Sequence, residues 1–340
     1  MKLKNLFYNF VIYNRPVKKA ATWVLKNKTV TRNSWYQKKY NNLLAEKMAK
    51  HERVPLRVMV ENTNCCNSDC VFCPHPQMQR IKGFMDMELF QKIADQCQEI
   101  GIDYFTIYGF GEPLLDPQFV DKVRYAKSIG LKRVTTNTNA SLLTPEKSRA
   151  LIEAGLDEIY ISFDAATAET FKKIRPALSF VTIENNIKEL VRLRVATGKK
   201  TPEIVLSFVE TPDNKKEVKQ YIKKWKSLVD HISISIIHNW TGELSDKLGI
   251  KNNFAYRDPC RLLWTDMVIS WDGRVPLCCN DYENKTIIGD VEEQSIGEIW
   301  GGERLRKIRQ HHRAREFTQI AICAGCSYNI HYKSPWWVNK

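Results

Sequence analysis

Residues 56–74 read LRVMVENTNCCNSDCVFCP, an apolar run of strand type followed at once by Cys66, Cys70 and Cys73 in C-x₃-C-x₂-C spacing. Three thiolates this close can hold three irons of a [4Fe–4S] cluster and leave the fourth iron open to a substrate or cofactor. A zinc site is the alternative, but zinc usually takes four ligands. His75 is the only fourth candidate nearby.

Beyond this stretch, apolar segments alternate with helix-length segments as far as residue 238. This alternation predicts βαβ units, a parallel sheet and, with six strands, an α/β fold of partial (βα)₆ barrel type. The predicted strands are Leu56–Glu61, Tyr104–Tyr108, Arg133–Asn137, Glu158–Ser162, Glu203–Phe208 and His231–Ile237. The predicted helices are Met87–Ile100, Pro117–Gly130, Thr144–Gly155, Ile183–Gly198 and Lys215–Val229. Chemistry in such barrels gathers at the carboxyl ends of the strands.

The ten cysteines fall in clusters, which indicates metal–thiolate chemistry in a reducing cytoplasm rather than a disulfide framework. The net charge of +14 is uneven, because residues 1–53 carry thirteen Lys and Arg against two Glu. The rest of the chain is therefore nearly neutral. This distribution argues against nucleic acid as the substrate of the whole protein, since a nucleic-acid channel would place basic residues throughout.

The N-terminal extension, residues 1–53, mixes these basic residues with aromatic ones. Its apolar run Leu6–Tyr13 is too short to span a bilayer. Three interpretations remain open for the extension: helices packed on the body, peripheral contact with the anionic inner membrane surface, or a protein or nucleic-acid partner.

The cysteine spacing directly after a strand resembles the signature of the radical S-adenosylmethionine (radical SAM) superfamily. The resemblance implies that the open iron binds the amino and carboxylate groups of S-adenosylmethionine. One electron then cleaves this cofactor to methionine and a 5′-deoxyadenosyl radical, which abstracts hydrogen from a substrate. An electron donor such as flavodoxin or ferredoxin is implied as a partner. The same resemblance implies a TIM-like partial barrel.

Other strand ends carry residues that match the family. The segment Tyr108–Pro113 reads YGFGEP and resembles the Gly-Gly-Glu-Pro motif, in which a carboxylate and close backbone meet the amino group of the cofactor. Asn137 and Asn139 end the next strand, although a plain loop with Asx-turns is an equal interpretation for Asn139. The residues expected to bind S-adenosylmethionine are Phe72, Gly109, Gly111, Glu112, Asn137, Ser162, Asp164 and Arg175.

A second set of cysteines lies near the C-terminus: Cys260, Cys278, Cys323 and Cys326. Four thiolates complete the ligand set of a second [4Fe–4S] cluster. The pattern resembles the SPASM/twitch group with one auxiliary cluster, while structural zinc is the alternative. Cys279 is surplus, and is an alternative ligand, a hydrogen-atom donor or inert.

These parts predict an N-terminal extension (1–53), a radical SAM barrel (54–245), an auxiliary-cluster domain (255–332) and a tail (333–340). The predicted enzyme oxidises or epimerises a small-molecule substrate, namely a polyol, sugar or sugar nucleotide. His238, Glu210 and Cys279 are the catalytic candidates, and His238 serves as a base if its imidazole is neutral. For His238, a structural role is the alternative. For the whole protein, the alternatives are a peptide-modifying maturase and a non-catalytic iron–sulfur carrier.

Overall fold

The computed structural model describes residues 48–249 and 259–328, together with residues 42, 45, 46 and 257. Most of the N-terminal extension and the whole tail 333–340 lie outside the described residues, so the membrane contact of residues 1–53 stays a prediction. Within the described ranges, no helix is long and apolar enough to cross a membrane.

Seven parallel strands form the main sheet. They are β1 (Arg57–Val60), β2 (Tyr104–Ile107), β3 (Val134–Thr138), β4 (Glu158–Ser162), β5 (Glu203–Glu210), β6 (His231–Ile236) and β7 (Asp266–Ile269). Their order in the sheet is β6-β5-β4-β3-β2-β1-β7, so β6 and β7 are its two edges. The sheet curls, because Ser235 of one edge strand and Val268 of the other line the same cavity. This is an open barrel.

Among the described residues, the first six helices connect β1 to β6 in turn, and the last four lie in the C-terminal region. They are α1 (Met87–Glu99), α2 (Phe119–Ser128), α3 (Pro145–Glu153), α4 (Ala168–Ile174), α5 (Phe180–Ala196), α6 (Val218–Trp225), α7 (Leu262–Thr265), α8 (Ile296–Trp300), α9 (Glu303–Ala314) and α10 (Ala321–Ala324). The hydroxyl of Thr144 accepts the N–H of Lys147 at the start of α3, which is an N-cap. Gly101, Gly130 and Gly155 end helices at φ of 70°, 87° and 82°, as C-cap glycines do.

The strands bury one face against the helices and turn the other into the barrel, because successive side chains alternate. Val58 and Val60 of β1 are fully buried in the outer core with Phe105 and Ile107 of β2. Met59, between the two valines, faces the cavity instead. Polar strand residues at inward positions therefore reach the cavity at the carboxyl ends of the strands.

The α/β class and the six predicted strands are confirmed, with ends that differ by one or two residues. The seventh strand was not predicted: β7 pairs in parallel with β1, although it lies far away in sequence and within the predicted C-terminal domain. The rest of that region adds an antiparallel pair, β8 (Arg274–Pro276) and β9 (Ile287–Asp290). The domain boundaries stay a prediction.

Candidate active site

The loop after β1 carries the first three cysteines and is held by the asparagines that precede them. Asn62 donates to the Pro113 carbonyl at 3.2 Å and to the Asp116 carboxylate at 3.0 Å. Asn64 donates to the Ile81 carbonyl at 2.9 Å. The cysteine loop is thus tied both to the end of β2 and to the segment that follows the cysteines.

Cys66, Cys70 and Cys73 line a cavity of about 380 Å³ at the carboxyl ends of the strands. Burial raises the pKa of Cys66 to about 11 and that of Cys73 to about 12, so iron must displace the thiol protons to bind. Among the described residues, no three His, Cys, Asp or Glu side chains are placed to hold a single metal ion. Thiols spread around a cavity fit the larger body of a [4Fe–4S] cluster.

His75, the fourth candidate for a zinc site, is not among the residues that line this cavity. Its Nε2 lies 2.9 Å from the Asn64 carbonyl, and because a carbonyl only accepts, Nε2 carries the proton. Burial lowers the pKa of His75. The side chain closes the cysteine loop rather than offering this nitrogen to a metal.

The two glycines of the YGFGEP segment allow the end of β2 to touch the end of β1. A Cβ on Gly111 would lie 2.4 Å from the Thr63 carbonyl oxygen and 2.5 Å from that of Cys65. A Cβ on Gly109 would lie 2.4 Å from the Glu61 side chain. Both positions require glycine because of this close approach, and both line the cavity.

The Glu112 carboxylate lies at the same wall and is almost fully buried. It accepts the Thr138 hydroxyl at 2.6 Å and the N–H groups of Asn139 at 2.7 Å and Leu114 at 3.1 Å. Burial raises the pKa of Glu112, while these donors act in the opposite direction. Asn139 also lines the cavity and accepts the Ser141 N–H at 2.9 Å, so it makes an Asx-type turn at the cavity wall.

Arg175 is buried beside the first cysteines. Its Nη1 donates to the Cys70 sulfur at 3.1 Å, and its Nε donates to Asp164 at 2.7 Å. Asp164 is fully buried, is not among the residues that line the cavity, and also accepts the Val209 N–H at 2.6 Å. The Asp164 carboxylate thus holds Arg175 from behind the cavity wall, and the expected contact of Asp164 with the cofactor stays a prediction.

The structure brings the other seven predicted cofactor residues to one cavity. They are Phe72, Gly109, Gly111, Glu112, Asn137, Ser162 and Arg175. The Phe72 ring lies under the Arg175 guanidinium, 5.7 Å from it, and the Phe72 carbonyl accepts Trp240 Nε1 at 2.7 Å. The strand ends predicted from sequence thus meet in space, and the individual contacts with the cofactor stay predictions.

The three catalytic candidates are placed differently. His238 and Cys279 line the cavity, whereas Glu210, at the end of β5, is not among the lining residues. The Nδ1 atom of His238 accepts the Trp240 N–H at 3.3 Å, so the neutral ring carries its proton on Nε2. A role of His238 as base therefore requires this contact to break.

An ion pair at the cavity wall was not predicted from the sequence. Arg80 donates to both carboxylate oxygens of Glu61, at 3.0 and 2.9 Å, and its Nε donates to the Tyr282 carbonyl at 2.7 Å. Glu61 also accepts the Phe110 N–H at 3.1 Å. The alternation of β1 places Glu61 on the inner face with Met59, which was an available signal. Arg80 lies in a loop without any pattern.

The C-terminal cysteines surround a second, small cavity of about 30 Å³. Its lining includes all four predicted ligands, Cys260, Cys278, Cys323 and Cys326. Burial raises the pKa of Cys260 to about 12 and raises the pKa values of Cys278 and Cys323 well above the usual range. Four thiols around one cavity supply the ligand set of a fully protein-ligated cluster.

The adjacent residues Cys278 and Cys279 line different cavities. Cys278 lines the small cavity and Cys279 lines the large one. Asn280 and Tyr328 line both. The two cavities therefore share a wall that is one side chain thick at these positions.

Sequence comparisons agree with this arrangement. Residues 60–222 match the family model of the radical SAM superfamily, and residues 260–327 match that of an iron–sulfur cluster-binding domain, SPASM. A Pyrococcus furiosus "tungsten-containing aldehyde ferredoxin oxidoreductase cofactor-modifying protein" is 29% identical over 79% of this chain and 88% of its own. A "probable GTP 3′,8-cyclase" of Methanothermobacter thermautotrophicus is 30% identical, over 37% of this chain and 40% of its own length.

Solved structures show the same fold at low identity. BtrN in complex with AdoMet and 2-DOIA is 20% identical, with a TM-score of 0.56 over 80% of this chain and 93% of its own. Streptococcus suis SuiB bound to precursor peptide SuiA is 14% identical, with a TM-score of 0.62 over 90% of this chain and 83% of its own. The cofactors are therefore a [4Fe–4S] cluster and S-adenosylmethionine in the barrel and an auxiliary iron–sulfur cluster in the C-terminal region. The chain belongs to the radical SAM superfamily and carries a SPASM-type iron–sulfur cluster-binding domain.

Proposed function

We propose that this enzyme oxidises a hydroxyl-bearing carbon of a small substrate, in the class of polyols, sugars and sugar nucleotides. The shared wall formed by Asn280 and Tyr328 supports this function most directly. It places the auxiliary cysteines next to the cavity in which the substrate would react. A two-electron oxidation needs an electron acceptor close to the substrate, whereas a redox-neutral rearrangement does not.

When bound, the two clusters and S-adenosylmethionine supply a hydrogen-atom acceptor and an acceptor for the one electron that remains. Cys66, Cys70 and Cys73 would hold the first cluster, and Cys260, Cys278, Cys323 and Cys326 the auxiliary one. The substrate would lose the carbinol hydrogen atom, the hydroxyl proton and one electron. Together these losses convert the alcohol to a ketone or aldehyde. An external donor such as flavodoxin or ferredoxin would supply the electron that starts each turnover.

The residues of the chain orient the substrate and receive its proton. Ser235, Ser270 and Asn284 line the cavity and offer hydrogen-bonding groups for substrate hydroxyls. His238 is the base candidate on the wall, and its Nδ1 would take the proton after releasing the Trp240 N–H. The aromatic rings of Phe110 and Trp240 lie 5.7 Å apart and add apolar surface to the cavity wall.

Epimerisation is the second candidate, and the position of Cys279 favours it. A thiol on the cavity wall can return a hydrogen atom to the substrate radical, and burial raises the pKa of Cys279 to about 12, which keeps it protonated. Cys279→Ala should then abolish epimer formation and leave 5′-deoxyadenosine formation intact. A dehydrogenase should survive the same substitution, and Cys65→Ala, outside the lining residues, is the control.

The first experiment is the iron and zinc content after anaerobic reconstitution of wild type and the Cys66→Ala/Cys70→Ala/Cys73→Ala variant. We expect about eight irons per chain, falling to about four in the variant. Product masses from a panel of polyols, sugars and sugar nucleotides then test the reaction. A loss of two hydrogens indicates oxidation. A product of unchanged mass in H₂O that takes up one deuterium in D₂O indicates epimerisation. Turnover of peptides alone would contradict the proposed substrate class.

A further inference from the structure

The auxiliary cavity is bounded by a histidine that the cysteine pattern did not indicate. His312 lies on α9, is only 1% exposed, and lines the small cavity with the four cysteines. Its Nδ1 lies 3.2 Å from the backbone nitrogen of Cys260, and its Nε2 lies 3.4 Å from the sulfur of Cys323. The ring therefore bridges two cluster ligands that are far apart in sequence.

The tautomer of His312 follows from the first of these contacts. A backbone N–H only donates, so Nδ1 accepts and bears no proton. The proton of the neutral ring is then on Nε2, and the second contact is an N–H···S hydrogen bond to Cys323. The edge of the ring meets the Phe317 ring, with centroids 5.0 Å apart at 81°, which fixes this orientation.

A hydrogen bond to a ligand sulfur changes the reduction potential of an iron–sulfur cluster. Reduction adds negative charge, part of which resides on the cysteine sulfurs, so a donor stabilises the reduced form more than the oxidised form. Arg257 acts in the same direction through its charge and holds the same loop, with Nη1 donating to the Cys323 carbonyl at 2.6 Å.

We infer that His312 is a positioning residue of the auxiliary cluster, which orients Cys323 and raises the reduction potential of the cluster through an N–H···S bond. This inference rests on the auxiliary cluster of the proposed function and not on the substrate class. It would make the cluster a better electron acceptor, as a two-electron oxidation requires.

The test uses the full-length Cys66→Ala/Cys70→Ala/Cys73→Ala protein, in which only the auxiliary cluster remains. The midpoint potential is measured by redox titration with EPR detection, without substrate, next to the iron content. His312→Leu removes the donor, His312→Gln keeps an N–H on a shorter side chain, and His311→Gln is the matched control. His311 is the neighbouring residue on α9 and contacts Glu316 instead of a cysteine.

We expect about four irons per chain in each variant, a lower midpoint for His312→Leu than for the parent, an intermediate one for His312→Gln, and no change for His311→Gln. Equal midpoints for His312→Leu and His311→Gln would overturn the inference without touching the proposed hydrogen abstraction. If His312→Leu does not retain iron, pulsed EPR on the unsubstituted enzyme labelled with ¹⁵N-histidine decides. A weak nitrogen coupling on the auxiliary cluster supports a hydrogen bond, whereas a strong coupling (direct ligation), no coupling, or zinc in place of iron overturns it.

Discussion

Replacement of Arg80 by methionine should destabilise the protein by about 3–5 kcal/mol at pH 8, because it leaves a carboxylate buried without its partner. The side chains of Arg80 and Glu61 are only 4% and 3% exposed, and two hydrogen bonds join them. The Tyr282 carbonyl loses its donor as well. The change is measured as the shift of the urea midpoint of cluster-free protein.

Two further variants test whether the buried ion pair causes this loss of stability. Glu61→Leu/Arg80→Met removes both charges and should recover most of the stability lost in the single variant. Lys173→Met removes an exposed pair with Glu169, whose side chains are 59% and 82% exposed, and should leave the urea midpoint almost unchanged. A loss for Arg80→Met as small as that of this control would show that the pair is solvated.

Three other predictions concern the cofactor sites. Gly111→Ala should lower the free energy of unfolding by about 1–3 kcal/mol and reduce the iron content of the first cluster, because the added Cβ meets the Thr63 and Cys65 carbonyls. Gly297→Ala is the control, since no atom lies within 4 Å of its Cβ. Equal iron content in the two variants would contradict this prediction. Asp164→Asn should weaken binding of S-adenosylmethionine by about tenfold or more, since Arg175 loses its charged partner, and calorimetry showing unchanged affinity would refute the positioning role. Iron loading of the first site should improve from pH 7 to pH 9, because iron must replace the thiol protons. Burial raises the pKa of Cys66 to about 11 and that of Cys73 to about 12. Equal iron content after loading at both pH values would contradict this prediction.

The sequence predicted much of the barrel because its signals are local. Strand and helix alternation, the N-cap at Thr144 and the C-cap glycines each depend on a few neighbouring residues. The parallel sheet follows from this alternation, and the parallel sheet brings the strand ends together. For this reason seven of the eight residues expected to bind the cofactor line one cavity.

Asp164 shows where that reasoning stops. Its position after β4 predicted a place at the cavity, yet its carboxylate lies behind Arg175 and binds the Val209 N–H. The direction in which a side chain points at a strand end depends on its neighbours in other strands. The order of polar and apolar residues along the chain does not reveal those neighbours. Glu210 likewise is not among the residues that line the cavity, and its catalytic role stays a prediction.

By itself, the sequence determined the α/β class, the two cysteine sets and the glycines that let the end of β2 approach the cysteine loop, because spacing and periodicity encode short-range geometry. Only the tertiary structure decided that β7 joins β1, that Arg80 meets Glu61, that His312 reaches Cys323, and that adjacent Cys278 and Cys279 serve different cavities. Each of these contacts joins residues from separate segments, or depends on which way a side chain turns. Their energy comes from burial and pairing across the fold, which no local pattern records.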